Sequence, residues 1–376
     1  MSSDAGALQG EEEDTPAGGP STRGGHRLAA VNKCSRQWAL RYYWYYRPVG
    51  DKPYRLWGTL LHTCYEYFYA AMMPDPPEWF RKTALIDRLR EQASVIAEPV
   101  RSQLLNMTAD NFTAYRLRYA DDHLLMEPVY IEEEFAATLE EIDPISEDEV
   151  RDEIGRTKAA VFRVSGLETR ALEAGARVEA EYRALKSLDR EIVTCRPDLI
   201  WRLKKNRTQW IRDYKSLGRS RVNYRTGALF RWTSDDGEES GEFSVNWQVL
   251  LNLKIVRARL GLGNIRGFDI QRVTRQPPYD FDRNTLTIPG DAYKHAGRVA
   301  RELVAHENRV TLQIESGQKP AYRPSECQTQ FGLCDYIHVC KAPSQHEMLA
   351  RLNDPRRFTR NVQEALRIRE RLKVVA

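Results

Sequence analysis

Four cysteines at opposite ends of this 376-residue chain constrain how it can fold. Cys327, Cys334 and Cys340 are closely spaced in a segment that contains proline and glycine, and Cys34 lies near the start. Three clustered thiols need a fourth ligand, for which Cys34 is the candidate. Joining segments about 290 residues apart removes loop entropy worth about 5 kcal/mol. The sequence therefore predicts a metal site, iron–sulfur or zinc, that brings the two ends together.

Composition and hydropathy favour a cytoplasmic protein. The chain has no apolar run long enough to span a bilayer, and its start lacks the basic-then-apolar order of a signal peptide. Six cysteines without a secretory signal fit a reducing compartment and a metal site better than a disulfide framework. The net charge of +4 is too small to indicate a nucleic-acid partner by itself.

The spacing of apolar residues divides the chain into segments. Residues 1–26 are rich in glycine, serine and acidic residues, which predicts a disordered tail ahead of one domain over 27–345. Leucine and isoleucine recur at three- and four-residue intervals after residue 79, so a largely helical insert is expected over 79–175. The cysteine loop is placed at 320–345, and a C-terminal helix is expected at 346–376.

A sheet is expected over 176–275, where β-branched and aromatic residues are separated by turn residues. The expected strands run from Val178 to Tyr182, from Ile192 to Leu203, from Gln209 to Lys215 and from Ile265 to Thr274. Helical spacing marks a buried helix before the last of them, with Val249, Leu253, Val256 and Leu260 on one face. A long helix is expected from Asp291 to Glu315. The fold class is therefore α/β, a central mixed sheet flanked by helices.

Two aspartates and a lysine form a candidate metal site in this sheet. Side chains alternate along a strand, so Asp213 and Lys215 should point to one face while Arg212 and Tyr214 point to the other. A hairpin would bring Asp198, on the preceding strand, beside Asp213. Mg²⁺ or Mn²⁺ relieves the repulsion between two carboxylates by taking oxygen ligands from both. Taken alone, an Asp-x-Lys pair is also typical of an ordinary solvated ion pair.

Two further motifs accompany Pro197-Asp198 and Asp213-Tyr214-Lys215. A G-x-x-x-H string, Gly58-Thr59-Leu60-Leu61-His62, lies on a helix that precedes the sheet. Gln248 lies on the helix that follows Lys215. In this order the motifs resemble the RecB-like branch of the PD-(D/E)XK nuclease superfamily. The closest resemblance is to its iron–sulfur members, such as the CRISPR-associated four-cysteine exonucleases and the AddB nuclease domain. The resemblance extends from about Arg27 to Cys340. Outside the motifs it is limited to the layout of the segments along the chain.

The resemblance implies a restriction-endonuclease-like fold and a role for each motif residue. A [4Fe–4S] cluster on the four cysteines would clasp the N- and C-terminal segments together, with Zn²⁺ as the alternative. His62, Asp198 and Asp213 would bind Mg²⁺ or Mn²⁺, Lys215 would assist the attacking water, and Gln248 would contact the site or the substrate. Where the family often has a tyrosine, four residues after the glutamine, this chain has Asn252.

The activity implied is metal-dependent exonucleolytic hydrolysis of DNA, in recombination, repair or processing. The chain lacks a G-x-x-x-x-G-K-[ST] motif, so a helicase partner would be a separate chain. Two alternatives share the scaffold. One is a structure-specific DNA endonuclease, and the other is a catalytically silent DNA-binding or assembly subunit.

Overall fold

The computed structural model describes most of the chain. The described residues are 23–48, 53–217, 246–261, 263–274, 279, 281–321, 323, 327–329, 332–334, 336–342, 344–355 and 357–360. The predicted tail lies outside them as far as residue 22, and so do residues 361–376 of the predicted C-terminal helix.

Helices and short strands alternate along the described chain. The helices are α1 (Gly25–Lys33), α2 (Ser35–Trp38), a π-helical turn (Ala39–Tyr43), α3 (Pro53–Ala70), α4 (Glu78–Lys82), α5 (Leu85–Ala93), α6 (Val100–Arg118), α7 (Asp122–Leu125), α8 (Leu139–Ile142), α9 (Glu147–Ser165), α10 (Glu168–Lys186), α11 (Trp247–Leu260), α12 (Gly290–Glu315), α13 (Ile337–Cys340) and α14 (Gln345–Leu352). The strands are β1 (Tyr46–Pro48), β2 (Met126–Ile131), β3 (Phe135–Thr138), β4 (Ile192–Cys195), β5 (Leu199–Leu203), β6 (Gln209–Leu217), β7 (Ile265–Thr274), β8 (Phe281–Thr285), β9 (Gln328–Thr329), β10 (Gly332–Leu333) and β11 (Phe358–Arg360). None of the described helices combines the length and the apolar character needed to cross a bilayer.

A five-stranded mixed sheet lies at the centre of the molecule, in the order β2-β5-β6-β7-β8. Its neighbouring strands are antiparallel except β6 and β7, which are parallel, with Asp213 opposite Ile270. Parallel strands require a crossover connection, and α11 lies in the connection between these two. The predicted class, a mixed sheet flanked by helices, is confirmed.

Each face of the sheet has its own apolar core. Ile211 and Phe268 belong to the core that contains α11 and α12, whereas Tyr214 belongs to the core that contains α3 and α6. Strand β6 therefore alternates between the two cores, as the sequence predicts. Asp213 and Lys215 lie on the α11 side, and both line a cleft that α3 and α5 also border.

A third core joins the two ends of the described chain. Val31 and Trp38 pack there with Tyr336 and Val339. Strand β1 pairs antiparallel with β11, and the Tyr336 hydroxyl donates to the backbone carbonyl of Tyr46 at 2.7 Å. The first and last described segments therefore lie side by side.

An ion-pair group fixes α1 on the long helix α12. The Glu307 carboxylate, almost fully buried, accepts hydrogen bonds from Arg23 Nε at 2.7 Å and from Arg27 Nε at 2.5 Å. Arg23 also pairs with Glu191, beside the start of β4. Because Arg23 to His26 take part in this packing, the ordered domain begins within the segment predicted to be a disordered tail.

The segment predicted to be a helical insert also contains strands. Residues 79–175 include β2, which forms one edge of the central sheet, and β3, which pairs with β4. The strand expected from Val178 to Tyr182 is instead part of helix α10. Its alternating pattern lies within an alanine-, glutamate- and arginine-rich stretch of high helix propensity, which packs against α9 in a helical hairpin.

The C-terminal prediction is partly wrong. Helix α14 ends at Leu352, and β11 follows within the segment expected to be one helix over 346–376. Asn353-Asp354-Pro355 explains the break, because a residue before proline is disfavoured in helical conformation. The expected helices at α11 and α12 are confirmed within one or two residues.

Candidate active site

Helix α3 contributes one face to a deep cleft beside the sheet. Gly58, His62 and Glu66 are spaced four residues apart, so they lie on the same side of this helix, and all three line the cleft. The G-x-x-x-H string therefore places a small residue one turn before the histidine. Glu66 extends the same stripe by one more turn.

Asp198 is held where β4 leads into β5. Its Oδ2 accepts a hydrogen bond from the backbone N–H of Tyr214 at 2.5 Å, across the β5–β6 pair. Its Oδ1 lies 3.8 Å from Nδ1 of His62. The predicted hairpin thus brings Asp198 to the strand that carries Asp213 and Lys215, whose carboxylate and ammonium form an ion pair.

Glu132 enters the site from the end of β2. Its backbone is in the left-handed region, with φ of 52°, which is uncommon for a residue other than glycine. Its N–H donates to the backbone carbonyl of Asp198 at 3.3 Å. A conformation of this kind is held only when its surroundings require it, and here it places a third acidic side chain beside Asp198.

Gln248 reaches the cleft at the start of α11. Asn246 caps this helix, its side-chain oxygen accepting the N–H of Gln248 at 3.0 Å. Gly25 of α1 contacts the glutamine closely, since an added Cβ there would lie 3.2 Å from the Gln248 side chain. Asn252, one turn further along α11, also lines the cleft.

All five residues predicted from the sequence motifs line one cleft with a volume of about 810 Å³. They are His62, Asp198, Asp213, Lys215 and Gln248. The ligand atoms of His62, Glu132 and Asp198 all lie within 4.8 Å of one another, which is a spacing that one cation can bridge. Asp213 is not part of this group, because it faces Lys215. The structure therefore adds Glu132 to the predicted ligands.

The carboxylates of the cleft raise one another's pKa. Burial, and then the charge of Asp198, raise the pKa of Glu66 to about 7. The same two causes raise the pKa of Glu132 well above its ordinary value. Burial also raises the pKa of Asp198, with a smaller contribution from Asp213. Negative charge is therefore costly here, as expected where a cation is to be bound.

The surroundings of the cleft raise the pKa of Lys215 and lower the pKa of His26. Burial alone would lower the pKa of Lys215, but the carboxylates of Asp213 and Asp198 outweigh it and raise the pKa. Lys215 is therefore protonated at neutral pH. Desolvation by the groups around it, and then the positive charge of Lys215, lower the pKa of His26, which lies on α1 and remains partly exposed to solvent.

The four terminal cysteines lie near one another, and Cys334 and Cys340 pack in the third core. Strands β9 and β10 form a hairpin between Cys327 and Cys334, and the N–H of Cys334 donates to the carbonyl of Cys327 at 2.8 Å. This hairpin accounts for the six-residue gap between the two. Burial, and then the thiols of Cys34, Cys334 and Cys327, raise the pKa of the Cys340 thiol to about 12. The Cys340 thiolate is thus disfavoured beside the other three thiols, and a cationic metal centre would relieve this.

Arg36 fixes the cysteine segment to the N-terminal segment. Its backbone N–H donates to Ala321 O at 3.0 Å, its Nε to Pro320 O at 2.9 Å, and its Nη1 to Cys340 O at 2.7 Å. None of the six cysteines is in a disulfide. Cys64 and Cys195 are buried, and burial is the largest cause that raises the pKa of each thiol.

Comparison of the chain with family models, with curated proteins and with solved structures finds no match.

Sequence motifs missed two acidic residues of the cleft. Glu132 is the first of three consecutive glutamates, and no motif distinguishes it from its neighbours. Glu66 follows His62 by four residues, and that helical spacing could have identified it. His26 was assigned to the disordered tail, and only the packing of α1 places it in the cleft.

Proposed function

We propose that this chain is a metal-dependent deoxyribonuclease with a restriction-endonuclease-like core of the RecB-like, iron–sulfur type. One observation carries the proposal. A single cleft gathers a histidine and two carboxylates at cation-binding spacing, His62, Glu132 and Asp198, beside the Asp213–Lys215 pair. An ordinary surface ion pair would have no such neighbours.

The donor set suits a hard divalent cation. Carboxylate oxygens predominate, which favours Mg²⁺ or Mn²⁺, and one imidazole is compatible with Mn²⁺. His62, Glu132 and Asp198 would hold the ion, with Asp213 as the further ligand that the family resemblance implies. A cation held by these residues would supply Lewis acidity, which would polarise the scissile phosphate and lower the pKa of an attacking water.

The protein's own groups then orient the reaction. Asp198 cannot rotate freely, because the Tyr214 N–H holds one of its oxygens. The protonated Lys215 donates to the attacking water and offsets the charge that develops on the phosphate oxygens. Its raised pKa favours this role over removal of a proton from the water. Gln248, at the capped start of α11, would contact the substrate.

The terminal cysteines would hold a [4Fe–4S] cluster with a structural role. Cys34, Cys327, Cys334 and Cys340 supply four thiolates, the number that such a cluster takes, and Zn²⁺ is the alternative metal. The cluster would fasten α1 to the C-terminal segment. Within recombination, repair or DNA processing, a helicase would act as a separate partner.

The test compares the wild type with Asp213→Ala on end-labelled linear DNA and closed circular DNA, with Mn²⁺ or EDTA. An exonuclease degrades linear DNA only, needs Mn²⁺, and loses activity in the variant. Glu173→Ala, on the exposed face of α10, is the matched control and should cleave as the wild type does.

Cleavage of circular DNA would identify an endonuclease. An inert wild type that still binds DNA would identify a silent binding subunit, and equal activity in Asp213→Ala would exclude this cleft.

A further inference from the structure

Two groups of basic and glutamine side chains line the cleft from different sides of the sheet. Lys33 ends α1, Gln37 lies on α2 and Arg41 lies in the π-helical turn, and all three line the cleft. We call them the N-terminal wall. Arg88 and Gln92 are four residues apart on α5 and also line the cleft. We call them the α5 wall.

The walls belong to elements that cover opposite faces of the sheet. Helix α1 packs with α11 and α12, in the core that contains Phe268. Helix α5 packs with α3 and α6, in the core that contains Tyr214. The carboxylates lie at the sheet between them, so a molecule seated on the carboxylates would meet one wall on each side.

The cleft needs these cations if its ligand is an anion. The carboxylates of Glu66, Glu132, Asp198 and Asp213 all line it and would repel a phosphate chain. Lys33 is exposed at the rim. Within the described structure, the buried Nε of Arg41 has no hydrogen-bond partner. Each wall thus pairs a basic group with a glutamine amide, the groups that commonly contact phosphate oxygens.

We propose that the two walls bind the phosphates on either side of the scissile phosphodiester. The substrate is then a polynucleotide strand that continues in both directions from the cleaved bond, and Lys33, Arg41 and Arg88 position it. This inference rests on the proposed nuclease function, because that function places the scissile phosphate at the carboxylates.

The test measures how salt weakens binding. Lys33→Gln, Arg41→Gln and Arg88→Gln are made separately and together in an Asp213→Ala background, and the binding of a labelled single-stranded oligonucleotide with Mn²⁺ is followed by anisotropy. Each lost phosphate contact should reduce the slope of log affinity against log salt by about 0.7. Affinity should fall about fivefold per substitution at 0.1 M salt and about 100-fold in the triple variant, with little difference near 1 M.

Arg177→Gln is the control, because Arg177 is exposed on α10 and does not line the cleft. An unchanged slope in the three wall variants would overturn the inference, as would an equal change in the control or no oligonucleotide binding at all. A merely structural role would lower affinity without changing the slope. Hydrolysis of a small chromogenic phosphodiester by the wild type tests the nuclease function separately, since such a substrate does not reach both walls.

Discussion

Replacing Glu132 with glutamine should stabilise the metal-free protein while weakening its response to metal. The Glu132 and Asp198 ligand oxygens lie within 4.8 Å of each other, and both groups are acidic. Protonated Glu132 donates a hydrogen bond to Asp198, and a glutamine amide can donate the same bond. The substitution therefore removes the charge and little of the packing.

The size of the effect follows from Coulomb's law. At 4.8 Å and an effective dielectric constant of about 20, two like charges repel by about 3.5 kcal/mol. Arg196 offsets part of this repulsion, and partial protonation of Glu132 reduces it further. We expect Glu132→Gln to raise the free energy of unfolding by about 1–2 kcal/mol at pH 8, which corresponds to about 1–3 °C in Tm for a chain of this length.

The pH dependence has a definite sign. The folded pKa values of Glu132 and Glu66 are raised, so the folded wild type binds protons that the unfolded chain has released. Their contribution to stability is fully present below the unfolded pKa of about 4.5 and is lost as pH rises through the folded values. For Glu66 the folded value is about 7. The difference between variant and wild type should therefore vanish near pH 5 and grow towards pH 8.

Thermal unfolding from pH 5 to 8, with EDTA or with Mn²⁺, measures both the stability of the metal-free protein and its stabilisation by metal. Mn²⁺ at 100 times its Kd would stabilise the wild type by about 2.7 kcal/mol, and the variant should gain far less. Glu173→Gln, exposed on α10, is the control. A variant less stable than wild type in EDTA at pH 8, or one equally stabilised by Mn²⁺, would refute the reasoning.

Three further predictions concern other parts of the molecule. Lys215→Gln should lower the single-turnover rate of DNA cleavage about 100-fold or more, because it removes the charge that faces the developing anion; a change below threefold would contradict this role. Glu307→Gln should destabilise by about 3–5 kcal/mol in urea unfolding at pH 7, since the buried Arg23 and the partly buried Arg27 lose their charged partner, whereas exposed Glu302→Gln should have little effect. Burial alone would raise the pKa of Glu307, but its two arginines hold it below the ordinary value, so this stability is present above about pH 4.5 and should disappear as pH falls through the folded value. Cys340→Ser should abolish iron content and visible absorbance in protein purified without oxygen, and a colourless, zinc-loaded wild type would instead support the zinc alternative.

Local periodicity predicted the part of the fold that positions the site. The alternation of Ile211 and Asp213 against Arg212 and Tyr214 is a property of one strand, and burial on both faces fixes it. The apolar face of α11 is likewise set by residues that are close together in the sequence. Strand alternation and the hairpin thus predicted that Asp198 would lie beside Asp213, whereas His62 was expected there only from the resemblance of the motifs.

Features that depend on tertiary contacts could not be predicted in this way. The stretch from Val178 to Tyr182 alternates like a strand, but it is helical because it continues α10 and packs against α9. Glu132 reaches the site only because β2 pairs with β5 and the chain then turns through a left-handed conformation. Neither interaction leaves a repeating pattern in the sequence.

The pairing of β1 with β11 also affects the order in which the protein can be completed during its synthesis. Domains generally begin to fold from the N-terminus as the chain emerges, but Tyr46 cannot pair until Arg360 has been made. The helical segment that carries Lys33, Gln37 and Arg41 belongs to the same late core. The sheet and its carboxylates can thus assemble on the ribosome well before the N-terminal wall is packed in place. A nascent chain would therefore complete its cleft last.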